Sequence, residues 1–210
     1  MEYNDIFNLI SNYYFIDNGD HNGEYTPFID ERSKIEINIK EVLPHIISKS
    51  EQLVKEIELT FPQILAINHG SFAADTCYTI VLSVSQEEFE RVSFTREFYC
   101  QFSMLANYFC LYGKDTIVLN DDGYSLYFDP IITISPKNLY EDFYSTSRSI
   151  VKEAFPNYTF LPYLFLQKRI AGLKIFTTFL KENQYTSVYQ ALFTPENITD
   201  YKLIGDILYK

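Results

Sequence analysis

The densest group of reactive side chains is His69-Gly70-Ser71, followed closely by Asp75 and Cys77. A nucleophile needs a base within hydrogen-bond reach and an acid that orients the base. His69, Ser71, Asp75 and Cys77 supply every one of these types within nine residues, so a small hydrolase centred on this loop is the enzymatic reading. Sequence neighbours rarely converge as a triad, however, and no G-x-S-x-G elbow is present. A loop histidine beside a turn serine accounts for the same residues without catalysis. His21, His45 and His69 are the only histidines, which leaves few candidates for histidine-dependent chemistry.

Metal and phosphate chemistry have weaker footing, and no cofactor or metal is expected. Asn18, Asp20, Asn22 and Gly23 imitate the start of a calcium-binding loop, but the closing position, where a bidentate Glu belongs, is Ile29. Neither a phosphate-cradling G-x-x-x-x-G-K-[ST] loop nor a dinucleotide G-x-G-x-x-G turn occurs among the seven glycines. Cys77, Cys100 and Cys110 are odd in number and lack C-x-x-C spacing, so they read as buried free thiols. The adjacent acids Glu87-Glu88, Asp121-Asp122 and Glu141-Asp142 read as helix starts and a hairpin tip.

Charge geography is more informative. The net charge is −11, with 24 acids against 11 bases in residues 1–161 but 4 against 6 in residues 162–210. The first 31 residues hold seven acids and no Lys or Arg. Such a field repels nucleic-acid phosphates and anionic lipid and attracts basic partners. The chain also carries 18 Tyr and 18 Phe with no Trp, and Tyr suits protein interfaces because it joins a large apolar body to a polar tip. The bland alternatives are an acidity that serves solubility and aromatic rings that fill the core.

These features lead to a non-enzymatic protein that docks a basic protein partner through an acidic, Tyr-rich surface, for example an immunity protein neutralising a toxin. The residues that would carry this are Asp17, Asp20, Glu24, Tyr25, Asp30, Glu31, Asp121 and Asp122. The competing classes are the His69-loop hydrolase and a structural or scaffold subunit. No apolar run approaches the ~20 residues that cross a bilayer. The N-terminus lacks the basic start of a secretory signal, so a cytoplasmic protein without membrane or nucleic-acid partners is expected.

The elements that must position these residues follow from periodicity. Residues 1–210 are expected to form a single α+β domain. Its central antiparallel or mixed sheet has about 4–5 strands packed with helices, and the C-terminal third, residues 162–210, forms an all-helical layer. Apolar spacing predicts helices over Tyr3–Phe15 and Glu41–Leu59, and from Ser135-Pro136 to Pro156. Alternation predicts a strand at Ile35–Ile39, with a helix running from Asp30 as the alternative. Further strands are predicted at Ile64–Ile67, Thr76–Val84 and Ile131–Ile134, and Thr116–Leu119 with Tyr124–Phe128 reads as a hairpin around Asn120–Gly123. Ser85-Gln86-Glu87-Glu88 looks like a capping box. With Phe94, Phe98, Phe102, Leu105 and Phe109 it predicts one long helix ending at Gly113.

Overall fold

The computed structural model describes residues 2–16, 28–71, 75–121, 123–173, 175, 186–194 and 198–210. The helices are α1 (Tyr3–Ser11), α2 (Phe28–Thr60), α3 (Glu141–Ala154), α4 (Tyr163–Leu166) and α5 (Val188–Leu192). The strands are β1 (Ala66–Gly70), β2 (Cys77–Phe89), β3 (Val92–Ser103), β4 (Tyr108–Asp121), β5 (Tyr124–Tyr127), β6 (Ile131–Thr133), β7 (Thr159–Phe160), β8 (Arg169–Ile170), β9 (Thr186–Ser187) and β10 (Lys202–Ile204). Eight of them form one sheet ordered β1-β2-β3-β4-β6-β10, with β5 and β7 also on β4, while β8 and β9 make a separate ladder. The edge of β4 away from β3 is shared in succession by β7 at Tyr108, β6 at Gly113 and β5 at Val118.

Strand residues alternate between two faces, and both faces are covered at one end of the sheet. Tyr78, Ile80, Leu82, Phe98, Phe102 and Leu111 point toward α2 and α3 and bury Ile46, Leu53, Ile57, Phe143 and Tyr144. Cys77, Cys110, Tyr112 and Ile132 point the other way, against α1, α4 and α5. α5 is started by a reciprocal cap: the Ser187 hydroxyl accepts the Gln190 N–H at 3.2 Å, and Gln190 Oε1 accepts the Ser187 N–H at 3.0 Å. This orients Tyr189, whose O–H donates to Gln101 Oε1 at 2.8 Å, while Gln101 Nε2 donates to Thr79 at 3.3 Å. All three side chains are buried, and an unpaired polar group there would be costly.

The structure overturns the expected 4–5 strands and the all-helical C-terminal third; the arrangement is a mixed α/β fold with an eight-stranded sheet and one long helix. Residues 85–113, predicted as a helix, are the end of β2, all of β3 and the start of β4. Ile35–Ile39, predicted as a strand, lies inside α2, so the helix from Asp30 is what forms. Pro44 sits within that helix, where it removes the bond to the carbonyl of Lys40, an exposed residue whose acceptor water can satisfy. Within residues 162–210, α4 spans four residues, α5 five, and β10 is a strand, because this segment lies along the sheet as short pieces fixed by its own buried side chains.

Candidate functional site

Beyond the helical layers, β2, β3, β4 and β5 continue as a projecting tip. The register places Phe89 beside Val92, Val92 beside Leu119 and Leu119 beside Leu126. A four-residue apolar row therefore crosses four strands on one face, about 14 Å from end to end at the usual strand spacing. Alternation along β3 from Phe98 through Arg96 and Phe94 to Val92 shows that this is the face α2 and α3 cover lower down. Here it lies open: Phe89 is 62% exposed, Leu126 56% and neighbouring Tyr124 82%. The opposite face of the tip carries Gln86, Thr95, Thr116, Asn120 and Ser125, with the Val118–Tyr127 pair as its apolar part. The apolar side chains on this face are thus left without a covering layer at the tip.

Charged side chains of both signs border this row. Arg91 pairs with Asp121 and Arg96 with Glu87, so both tip arginines are matched, while Glu90 and Asp129 remain as exposed negative charge. The tip is shaped by two tight hairpins. Glu90 takes φ 51° between β2 and β3, and Gly123 takes φ 93° after β4, a left-handed conformation that glycine adopts without a Cβ clash. Pairing continues to Asp121 and Tyr124, which narrows the expected four-residue loop to two residues.

Of the expected partner-binding residues, Asp121 stands at this tip, Asp30 is exposed in the first turn of α2, and Asp17, Asp20, Glu24, Tyr25 and Asp122 lie outside the described residues. Glu31 is buried instead, and its Oε1 accepts the Phe15 N–H. Burial raises the Glu31 carboxyl above its usual range, against the lowering effects of the Phe15 bond and Lys34. Such a group stabilises the fold fully below its unfolded value, near pH 4.3, and that contribution is lost as pH rises through the higher folded value. Glu31→Gln removes the titration. Its melting temperature relative to wild type is therefore expected to rise as pH is raised above the unfolded value, and a flat difference across thermal melts would contradict this assignment.

The His69 group is spread across the sheet. His69 is exposed on β1, with Nδ1 2.7 Å from the Tyr78 hydroxyl, and Ser71 is exposed after that strand. Asp75 is half-buried below β2. Cys77 faces the opposite side of the sheet from Tyr78 and is fully buried. Burial pushes its thiol up, Thr79 lowers it and Asp75 raises it further, so it is a poor source of thiolate. Among the described residues, no group of three or more His, Cys, Asp or Glu is placed to hold a metal, and no helix is long and apolar enough to cross a membrane.

Of the described acids at the tip, sequence reading named Asp121 alone as partner-binding, took Glu87-Glu88 for a helix start, and missed the apolar row. Set beside known proteins, the chain matches no family model, no curated protein and no solved structure.

Proposed function

We propose that this is a non-enzymatic binding protein that docks a basic protein partner through the tip of its sheet, in the manner of an immunity protein occupying a toxin. The observation that carries the reading is the Phe89-Val92-Leu119-Leu126 row, open at Phe89 and Leu126 and bordered by the Arg91–Asp121 and Arg96–Glu87 pairs and the exposed Glu90. The row offers a dry centre where ring and aliphatic surface can be removed from water, and the acids offer a rim that orients a cationic partner. A net charge of −11 favours a basic protein over a phosphate backbone as that partner and would speed its approach. The reading sets this encounter in the cytoplasm.

The test compares capture from native lysate by wild type and by a Phe89→Asp/Leu126→Asp variant, followed by titration of whatever basic protein is retained. Wild type should hold one basic protein stoichiometrically and release it as salt rises. The variant should bind it at least about tenfold more weakly. Capture unaffected by the tip substitutions, affinity independent of salt, or retention of nothing would each reject the reading.

A further inference from the structure

The strongest local contrast to this acidic chain lies at the opposite end of the sheet. A cavity of about 520 Å³ opens between the second half of α3, the segment through β7 and α4, and the last residue described. Its charged lining residues are Arg148, Lys152 and Lys210, and among the described residues no Asp or Glu side chain lines it, although acids outnumber bases 28 to 17 in the chain. Its walls are apolar: Phe160, Phe165, Leu164, Pro156 and Pro162. The volume falls within the 300–1,000 Å³ range typical of small-molecule sites, which combine an apolar lining with a few placed polar groups.

Arg148 is fixed in advance. Its guanidinium lies 4.8 Å over the Phe160 ring and 5.6 Å over the Tyr209 ring, and it donates to the Tyr209 hydroxyl at 3.3 Å and the main-chain oxygen of Lys210 at 2.5 Å. Stacking on two rings while holding two oxygens leaves the side chain few alternative rotamers, so little ordering entropy remains to be lost when a ligand arrives. Lys152 is one helical turn further along α3, on the same side, and its ammonium has no ion-pair partner among the described residues. The carbonyl end of α3 would favour one nearby cation by itself. It accounts for neither the stacked arginine in mid-helix nor Lys210, which reaches the cavity from a distant part of the chain.

We infer that this cavity binds a small organic anion: a carboxylate, phosphate or sulfonate group held by Arg148, Lys152 and Lys210, with an aromatic or aliphatic body against Phe160, Phe165 and the two prolines. The inference is independent of the tip and its partner, and it assigns the cationic end of the molecule a separate ligand.

The probe is 8-anilinonaphthalene-1-sulfonate, with the uncharged N-phenyl-1-naphthylamine as its control and fluorescence titration of the full chain as the readout. The sulfonate should bind one site and weaken about tenfold or more in Lys152→Glu while surviving Lys152→Arg. The neutral ring system should bind much more weakly and be indifferent to both changes. Competition by phenyl phosphate or by benzoate then separates a phosphate-bearing ligand from a carboxylate-bearing one. Equal binding of charged and neutral probes, indifference of the sulfonate to Lys152→Glu, or failure of phenyl phosphate, benzoate and benzenesulfonate alike to compete would overturn the inference. So would signal that survives Lys152→Glu but disappears in Phe89→Asp/Leu126→Asp, because the probe would then be on the tip. Lys152 is exposed, so its substitution leaves the fold intact and the comparison meaningful.

Discussion

Tyr189→Ala is expected to lower the unfolding free energy by about 3–5 kcal/mol, the usual cost of deleting a buried aromatic ring. The ring is fully buried in the first turn of α5, stacked 5.6 Å from Phe193 and edge-on 6.3 Å from Tyr112. Its removal opens a cavity and also withdraws the hydroxyl that Gln101 Oε1 accepts at 2.8 Å. Tyr189→Phe separates the two effects. It keeps the ring, loses the hydrogen bond and should cost about 1–3 kcal/mol, because Gln101 stays buried. Denaturant titration reads both as a lower midpoint at unchanged slope. A loss for Tyr189→Ala below about 1 kcal/mol would mean that α5 does not seal this face of the sheet.

The second large effect comes from adding a single methyl group. A Cβ on Gly113 would lie 2.6–2.7 Å from three ring atoms of Tyr140, inside van der Waals contact. The ring has little freedom to move. It is buried, stacked 6.1 Å from Phe98, and its hydroxyl donates to Asp115 Oδ1 at 2.5 Å. Gly113→Ala is therefore expected to cost about 2–3 kcal/mol, the upper part of the overpacking range. In a Tyr140→Ala background the added methyl meets open space and the same substitution should be nearly neutral. The double-mutant cycle isolates this clash as a coupling energy. Equal costs in both backgrounds would place the penalty in the strand itself.

The long misassigned helix shows why part of the fold was hidden in the sequence. Phe94, Phe98 and Phe102 are four residues apart, and a spacing of four returns to the same side of both an α-helix and a β-strand. The residues that distinguish the two are those between them. Cys100 joins Phe98 and Phe102 on one face, whereas Tyr99 and Gln101 face the other, toward Tyr112 and Tyr189. With both faces buried, the polar half of the alternation that marks a strand is missing. Thr76–Val84 and the pairing of Thr116–Leu119 with Tyr124–Phe128 were legible because β-branched density and turn chemistry are local signals. The apolar row of the tip was not, since Phe89, Val92, Leu119 and Leu126 become neighbours only through strand register. Glu31 misled for a related reason: an acid in the first turn of a helix is normally solvated, and nothing near it in sequence announces the Phe15 amide.

The closure of the second face has a consequence for the order in which the molecule is made. Tyr14 O–H donates at 2.9 Å to the carbonyl of Ala191, 177 positions further along the chain. Helix α1 is synthesised well before the five-residue helix it packs against. At typical elongation rates that interval is on the order of ten to thirty seconds. The nascent chain can pair β1 through β5 within a contiguous stretch, but the side carrying Cys77, Cys110 and Tyr112 stays partly uncovered until the segment of α5 has also been made.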